Sequence, residues 1–193
     1  MRIIISAFNE FGSVNDSSTK YALSHATLPS HITKEYLSVD LNKTKEELCQ
    51  IFSSNPELYI MLGQSGKDDK IHIERYARNI LNFRIEDNGG NKPIDEEIIK
   101  GAPSILETKI DIESLNNYLN ENKIPSELSE DAGSFICNYS YYLALNSGVN
   151  AIFIHFPLYI SQSTNDKYHY LDKNTLIKAV ELIVKFLEGK YDN

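Results

Sequence analysis

Three stretches of the chain, 2–7, 58–62 and 151–156, are almost unbroken runs of apolar residues. Runs this short and this rich in isoleucine predict strands covered on both faces. Further strands are expected over 36–41, 71–76 and 124–129. Between them, apolar residues recur every three or four positions, which predicts helices over 17–27, 43–53, 111–122, 134–146 and 172–188. The last has the clearest period, with Leu176, Ala179, Val180, Ile183 and Leu187 on one face. Asn42 and its polar neighbours open the second helix, and Asp111 and Glu113 sit at the start of the third, where negative charge suits the helix dipole. Alternation of this kind predicts an α/β fold, a three-layer α/β/α sandwich around a mostly parallel mixed sheet, as one domain over 1–193. The stretch 86–104, centred on Asn88-Gly89-Gly90-Asn91-Lys92-Pro93, is polar and reads as a long surface loop.

Composition narrows the partners. The net charge is −8 and no basic cluster interrupts the chain, which argues against nucleic acid and anionic membranes. No apolar run approaches the roughly 20 residues of a membrane-spanning helix. The N-terminal apolar run is short and meets Asn9 and Glu10, so it reads as a strand rather than a signal peptide. Two cysteines and no disulfide framework point to a reducing compartment and a cytoplasmic location.

One of those cysteines stands in a chemically suggestive place. Cys137 lies within Asp131-Ala132-Gly133-Ser134-Phe135-Ile136-Cys137-Asn138, with Ser134 expected to cap the helix and Cys137 near its third position. Unsatisfied N–H groups at a helix start favour a thiolate. Two other short segments carry what such a nucleophile needs: Glu74 in 71–79 and His155 in 152–157. Each residue also has a plainer reading. Cys137 fits a buried structural cysteine, His155 a strand-end histidine bonded to a carbonyl, and Glu74 a solvated strand face, with Ile71 and Ile73 pointing the other way. Cys49 reads as a core or half-buried helix position, and His25, His31, His72 and His169 as surface residues. Histidines without close pairs, and the lack of a Cys-x-x-Cys, argue against a metal site. In α/β folds function gathers at the C-terminal ends of strands, where Phe8–Asn15, Gly63–Gly66, Ser129–Cys137 and His155–Tyr159 are expected.

Taken together the segments resemble one family. Ser6-Ala7-Phe8-Asn9-Glu10-Phe11-Gly12-Ser13, Gly63-Gln64-Ser65-Gly66, Ile73-Glu74-Arg75-Tyr76-Ala77-Arg78-Asn79, Phe83-Arg84-Ile85-Glu86-Asp87-Asn88, Ala132–Asn138 and Ile154-His155-Phe156-Pro157 follow, in order, the signatures of the pyroglutamyl peptidase I (pyrrolidone-carboxylate peptidase) family. The resemblance runs from residue 1 to about residue 188. It implies a cysteine exopeptidase that removes an N-terminal pyroglutamyl residue from peptides through a thioester, with Cys137 as nucleophile, His155 as base and then acid, and Glu74 orienting the imidazole. Phe8, Phe11 and Phe135 match positions lining the family's substrate pocket. Gln64 lies in its substrate-binding loop, and Arg84 matches an arginine near its active site. The resemblance implies no metal or organic cofactor, and a homo-oligomer, commonly a tetramer. Two alternatives stay open at this point: a divergent cysteine hydrolase of another small acyl amide, or a catalytically poor homologue that binds peptides or a partner.

Overall fold

The computed structural model describes residues 1–12, 16–67, 69–159 and 170–191. Ser13, Asn15 and His169, to which the sequence gives a loop and a surface position, lie outside these residues. The elements run β1 (Ile3–Phe8), α1 (Ser18–His25), β2 (Thr33–Leu37), α2 (Leu41–Ser53), β3 (Leu58–Gln64), β4 (Ile71–Glu74), β5 (Tyr76–Arg78), β6 (Ile105–Glu107), α3 (Ile112–Glu121), β7 (Ser126–Ser129), α4 (Ile136–Asn146), β8 (Ala151–Phe156), β9 (Leu158–Tyr159), β10 (Tyr170–Leu171) and α5 (Lys173–Tyr191).

Six strands form the central sheet in the order β2-β1-β3-β8-β4-β7. Every pairing is parallel except β4 with β8, so β4 and β7 run against the other four strands. The three apolar runs become the adjacent central strands β1, β3 and β8, as unbroken burial on both faces requires. One face of the sheet packs Ile3, Ile5, Ile60, Leu62, Ile152 and Ile154 against α1, α3 and α5. The other packs Ile4, Phe8, Tyr59, Met61 and Phe153 against α2, α4 and the segment after β5. The three-layer α/β/α arrangement with a mixed, mostly parallel sheet follows from these two clusters.

Several boundaries differ from expectation for identifiable reasons. The second strand is 33–37 rather than 36–41. It is the sheet edge, so its Thr-Lys-Glu sequence needs only partial cover. The more apolar stretch that follows leads instead into α2. Asp40 caps that helix, its side chain accepting from Asn42 N and Lys43 N at 3.0 and 3.2 Å, so the helix starts before residue 43. The expected strand 71–76 breaks at Arg75, whose guanidinium bonds Glu107 and Glu113, and β5 turns away to pair with β6. The polar 86–104 stretch carries no helix or strand, but it is not simply a surface loop. Asp87 is buried and accepts from Leu41 N, Gly89 N and Asn91 N. Burial alone would raise its pKa, yet these donors hold it below the ordinary carboxylate value.

Candidate active site

β8 places His155 and Phe153 on the face that looks towards α4, and β4 places His72 and Glu74 on that same face, with His72 opposite His155 and Glu74 opposite Phe153. A solvated strand face is therefore the wrong reading of β4. Glu74 is 1% exposed and His72, expected at the surface, is 3% exposed. The alternation of Ile with His and Glu arises because both faces of the sheet are covered and one cover is chemical rather than apolar.

Glu74 Oε1 lies 2.7 Å from His155 Nδ1, although 81 residues separate them along the chain. Tyr141 of α4 reaches back across the sheet, and its hydroxyl donates to the Glu74 carbonyl at 3.0 Å. Cys137 and His155 line one cavity, and with Nδ1 taken by Glu74 the ring has Nε2 left for the thiol. Burial disfavours the charged imidazole, but the hydrogen bonds to Cys137 and Glu74 outweigh it and raise the His155 pKa from 6.5 to about 10.

Cys137 enters from the first turn of α4, but the cap differs from expectation. The helix starts at Ile136 with Phe135 at its N-cap, whose side chain makes no capping hydrogen bond. Ser134 is engaged elsewhere, its hydroxyl donating to Asn82 O at 2.9 Å. Cys137 is half-buried, whereas Cys49, expected in or near the core, is exposed. Its helix buries Thr44, Leu48 and Ile51 instead, a stripe that leaves residue 49 outward.

Two cavities meet at Cys137. The first, of ≈ 180 Å³, is lined by Phe8, Phe11, Val39, Gln64, Phe135 and Ile136 among others. The rings of Phe11 and Phe135 meet edge to face at 5.4 Å, and Phe83 supports Phe135 from behind at 4.3 Å. Asn88 pins the Phe11 loop, accepting from Gly12 N at 3.0 Å and donating to Glu10 O at 2.9 Å. Gln64 Oε1 accepts from Ser18 N at 2.7 Å, which ties the end of β3 to the start of α1. The second cavity, of ≈ 230 Å³, is lined by Ser65, His72, Glu74, Ser129, Asp131 and His155 among others. Seven of the eight residues singled out in the sequence thus line one cavity or the other. Arg84 is the exception: it is exposed and lines neither.

Three further residues shape the site. Gly63 leaves room for the sulfur: a Cβ there would stand 3.0 Å from Cys137 Sγ and 2.7 Å from the Phe153 ring. A glycine within an apolar strand run was the available signal of such close approach. Asn138 is wholly buried; its side-chain oxygen accepts from Arg78 N, and its amide donates to Arg78 O and Ile80 O. It fixes the chain just beyond Glu74 to the turn that carries Cys137. Phe83 is the third, and sequence pattern gives no sign that it backs Phe135. Among the described residues no group of three His, Cys, Asp or Glu is placed to hold a metal ion, and no helix is long and apolar enough to cross a membrane.

A family model described as pyroglutamyl peptidase matches residues 1–187. A pyrrolidone-carboxylate peptidase of Brachyspira hyodysenteriae is 32% identical over 96% of this chain and 98% of its own length. The protein of that name from Bacillus subtilis is 31% identical over 99% and 94% respectively. The crystal structure of pyrrolidone carboxyl peptidase from Thermus thermophilus superposes with a TM-score of 0.89 at 26% identity, covering 95% of this chain and 98% of that one. The Thermococcus litoralis enzyme gives 0.88 at 28% identity, covering 99% and 96%.

Proposed function

This chain belongs to the pyroglutamyl peptidase family, and on that premise we propose that it releases N-terminal pyroglutamate from peptides with Cys137, His155 and Glu74 as its catalytic residues. The observation that carries the assignment is the pairing of His155 Nδ1 with Glu74 Oε1 at 2.7 Å in a cavity that Cys137 also lines. His155 takes the thiol proton as Cys137 Sγ attacks the pyroglutamyl carbonyl. The tetrahedral oxyanion is met by N–H groups of the first turn of α4, to which the N-cap side chain makes no bond. As the C–N bond breaks, His155 gives its proton to the leaving amine, and a thioester remains on Cys137. Neutral His155 then takes a proton from water, whose oxygen displaces the sulfur and frees pyroglutamate. Glu74 holds the ring so that Nε2 faces the sulfur, and it offsets the charge of the imidazolium.

The first cavity suits the acyl group. Pyroglutamate is a flat, uncharged lactam, and the rings of Phe8, Phe11 and Phe135 offer apolar faces while Gln64 and Asn9 supply polar edges. Asp16 is the one carboxylate among its described lining residues. Arg84 lies outside both cavities, and the reading gives it no contact with substrate. Cytoplasmic location, supported by two free cysteines, and assembly into a homo-oligomer, supported by the family resemblance, belong to the same proposal; light scattering tests the latter. Release of a chromophore from pyroglutamyl, prolyl and alanyl amides tests the activity. Hydrolysis confined to the pyroglutamyl compound is expected, and equal turnover of the prolyl amide would overturn the assignment.

A further inference from the structure

Two neighbouring tyrosines of α4 are wholly buried, and each donates its hydroxyl to a main-chain carbonyl of another segment. Tyr142 donates to Pro103 O at 2.6 Å, just ahead of β6. Tyr141 donates to Glu74 O at 3.0 Å. Glu74 is the last residue of β4 and the last to pair with β7 and β8, so its carbonyl stands where the strand ladder ends. A phenylalanine at 141 would fill the same space without reaching that carbonyl by a hydrogen bond. Burial pushes the Tyr141 phenol pKa up, so the hydroxyl keeps its proton and remains a donor.

Tyr141 comes four residues after Cys137, one turn further along the same face of α4. That face therefore carries the nucleophile at one level and, a turn later, a bond to the main chain of the residue that orients the imidazole. Phe153 packs against both partners of this arrangement. Its ring lies 5.7 Å from the Tyr141 ring and 4.9 Å from the His155 ring between centroids, and Phe153 is paired with Glu74 across β8 and β4. Asn138 ties α4 to the chain beyond β4, at Arg78 and Ile80, whereas Tyr141 reaches β4 itself. We infer that Tyr141 is a positioning residue: its hydroxyl sets the depth of Glu74 against α4, and through the Glu74 carboxylate it sets the placement of the His155 ring relative to Cys137. Without that bond the end of β4 relaxes away from the helix. The 2.7 Å contact between Glu74 Oε1 and His155 Nδ1 loosens with it, and the ring loses its aim at the sulfur. A misplacement of about 1 Å is enough to slow a reaction by about 10²-fold.

The inference rests on the pyroglutamyl peptidase reading, and Tyr142 supplies the control. Steady-state kcat and KM on a pyroglutamyl amide, the urea unfolding midpoint, and the titration of His155 followed by NMR of its ring nitrogens are measured in the wild type, Tyr141→Phe and Tyr142→Phe. Each variant removes one buried hydroxyl that donates to a carbonyl, so both are expected to lower the urea midpoint. Only Tyr141→Phe is expected to lower kcat, by about tenfold, with KM nearly unchanged. Only there should His155 titrate lower than in the wild type, because the bond to Glu74 is one of the contacts that raise it. An unchanged kcat in Tyr141→Phe, or an equal fall in both variants, overturns the positioning role. A fall in kcat with an unchanged His155 titration overturns the route through Glu74. A wild-type chain that does not turn over the pyroglutamyl amide sinks the peptidase reading itself and this inference with it.

Discussion

The two faces of the sheet are built from the same six strands but to different ends. Towards α1, α3 and α5 the strands present isoleucine and leucine almost exclusively, and the helices answer with aliphatic stripes such as Leu176, Val180, Ile183 and Leu187. Towards α2 and α4 the same strands present Ser6, Tyr59, His72, Glu74 and His155, and buried Asn138 and Tyr141 come from the facing helix. Adjacent positions of one strand therefore serve stability on one side and chemistry on the other. The aliphatic layer holds itself by area removed from water. The second face has an apolar cluster of its own, but the polar groups set into it hold only while their partners are present, since a buried donor or acceptor left alone costs more than its bond contributes.

Removing the chemistry should produce the largest effects and confine them to the second face. Cys137→Ala is expected to lower kcat/KM by about 10⁴ or more, and Glu74→Gln by about 10²–10⁴, as for other nucleophile and orienter losses. Steady-state kinetics on a pyroglutamyl amide reads both; residual activity near wild type in either would remove that residue from the triad.

Equal damage to the two faces should have unequal consequences. Leu115→Ala opens a cavity in the aliphatic layer at a cost of about 2–5 kcal/mol, yet the folded fraction keeps its kcat. Asn138→Ala strands the Arg78 N–H and the carbonyls of Arg78 and Ile80, at a cost of about 2–4 kcal/mol, and it should also depress kcat because the segment after Glu74 loosens. Urea unfolding beside active-site-titrated kinetics distinguishes them. A smaller perturbation, Gly63→Ala, pushes a methyl group against the Phe153 ring and Cys137 Sγ. It should cost about 1–3 kcal/mol and slow acylation; unaltered acylation would mean the sulfur does not depend on that space.

A separate effect is in pH dependence. His155 titrates near 10 in the folded chain against an ordinary 6.5, so folding favours its protonated form. Its contribution to stability is complete below about pH 6.5 and drains away as pH climbs towards about 10. The melting temperature of the wild type should therefore fall more steeply over that interval than that of His155→Gln, and parallel slopes would contradict the ion pair.

Much of the first face was legible in the sequence and less of the second. The period of α5 and the unbroken runs of β1, β3 and β8 report burial directly, because apolar burial leaves a pattern. His72 and Glu74 misled for the same reason: polar residues alternating with isoleucine imitate a half-solvated strand, and only the cover of Tyr141 and its neighbours makes them interior. The cap failed because Ser134 spends its hydroxyl on Asn82, a partner 52 residues away that no local pattern signals. Cys137, His155 and Glu74 meet because β8 and β4 lie side by side with α4 across them. Family resemblance anticipated that meeting where spacing could not.

The account turns on Cys137 being the reactive sulfur beside His155, and the chain contains its own control. Cys49 is exposed and Cys137 half-buried, so access alone would make Cys49 the faster to alkylate. Rates of iodoacetamide labelling at the two positions, followed by mass spectrometry at pH 6, decide the matter. The account predicts that Cys137 reacts well ahead of Cys49 and loses that lead in Glu74→Gln; a wild-type chain in which Cys49 reacts first would contradict it.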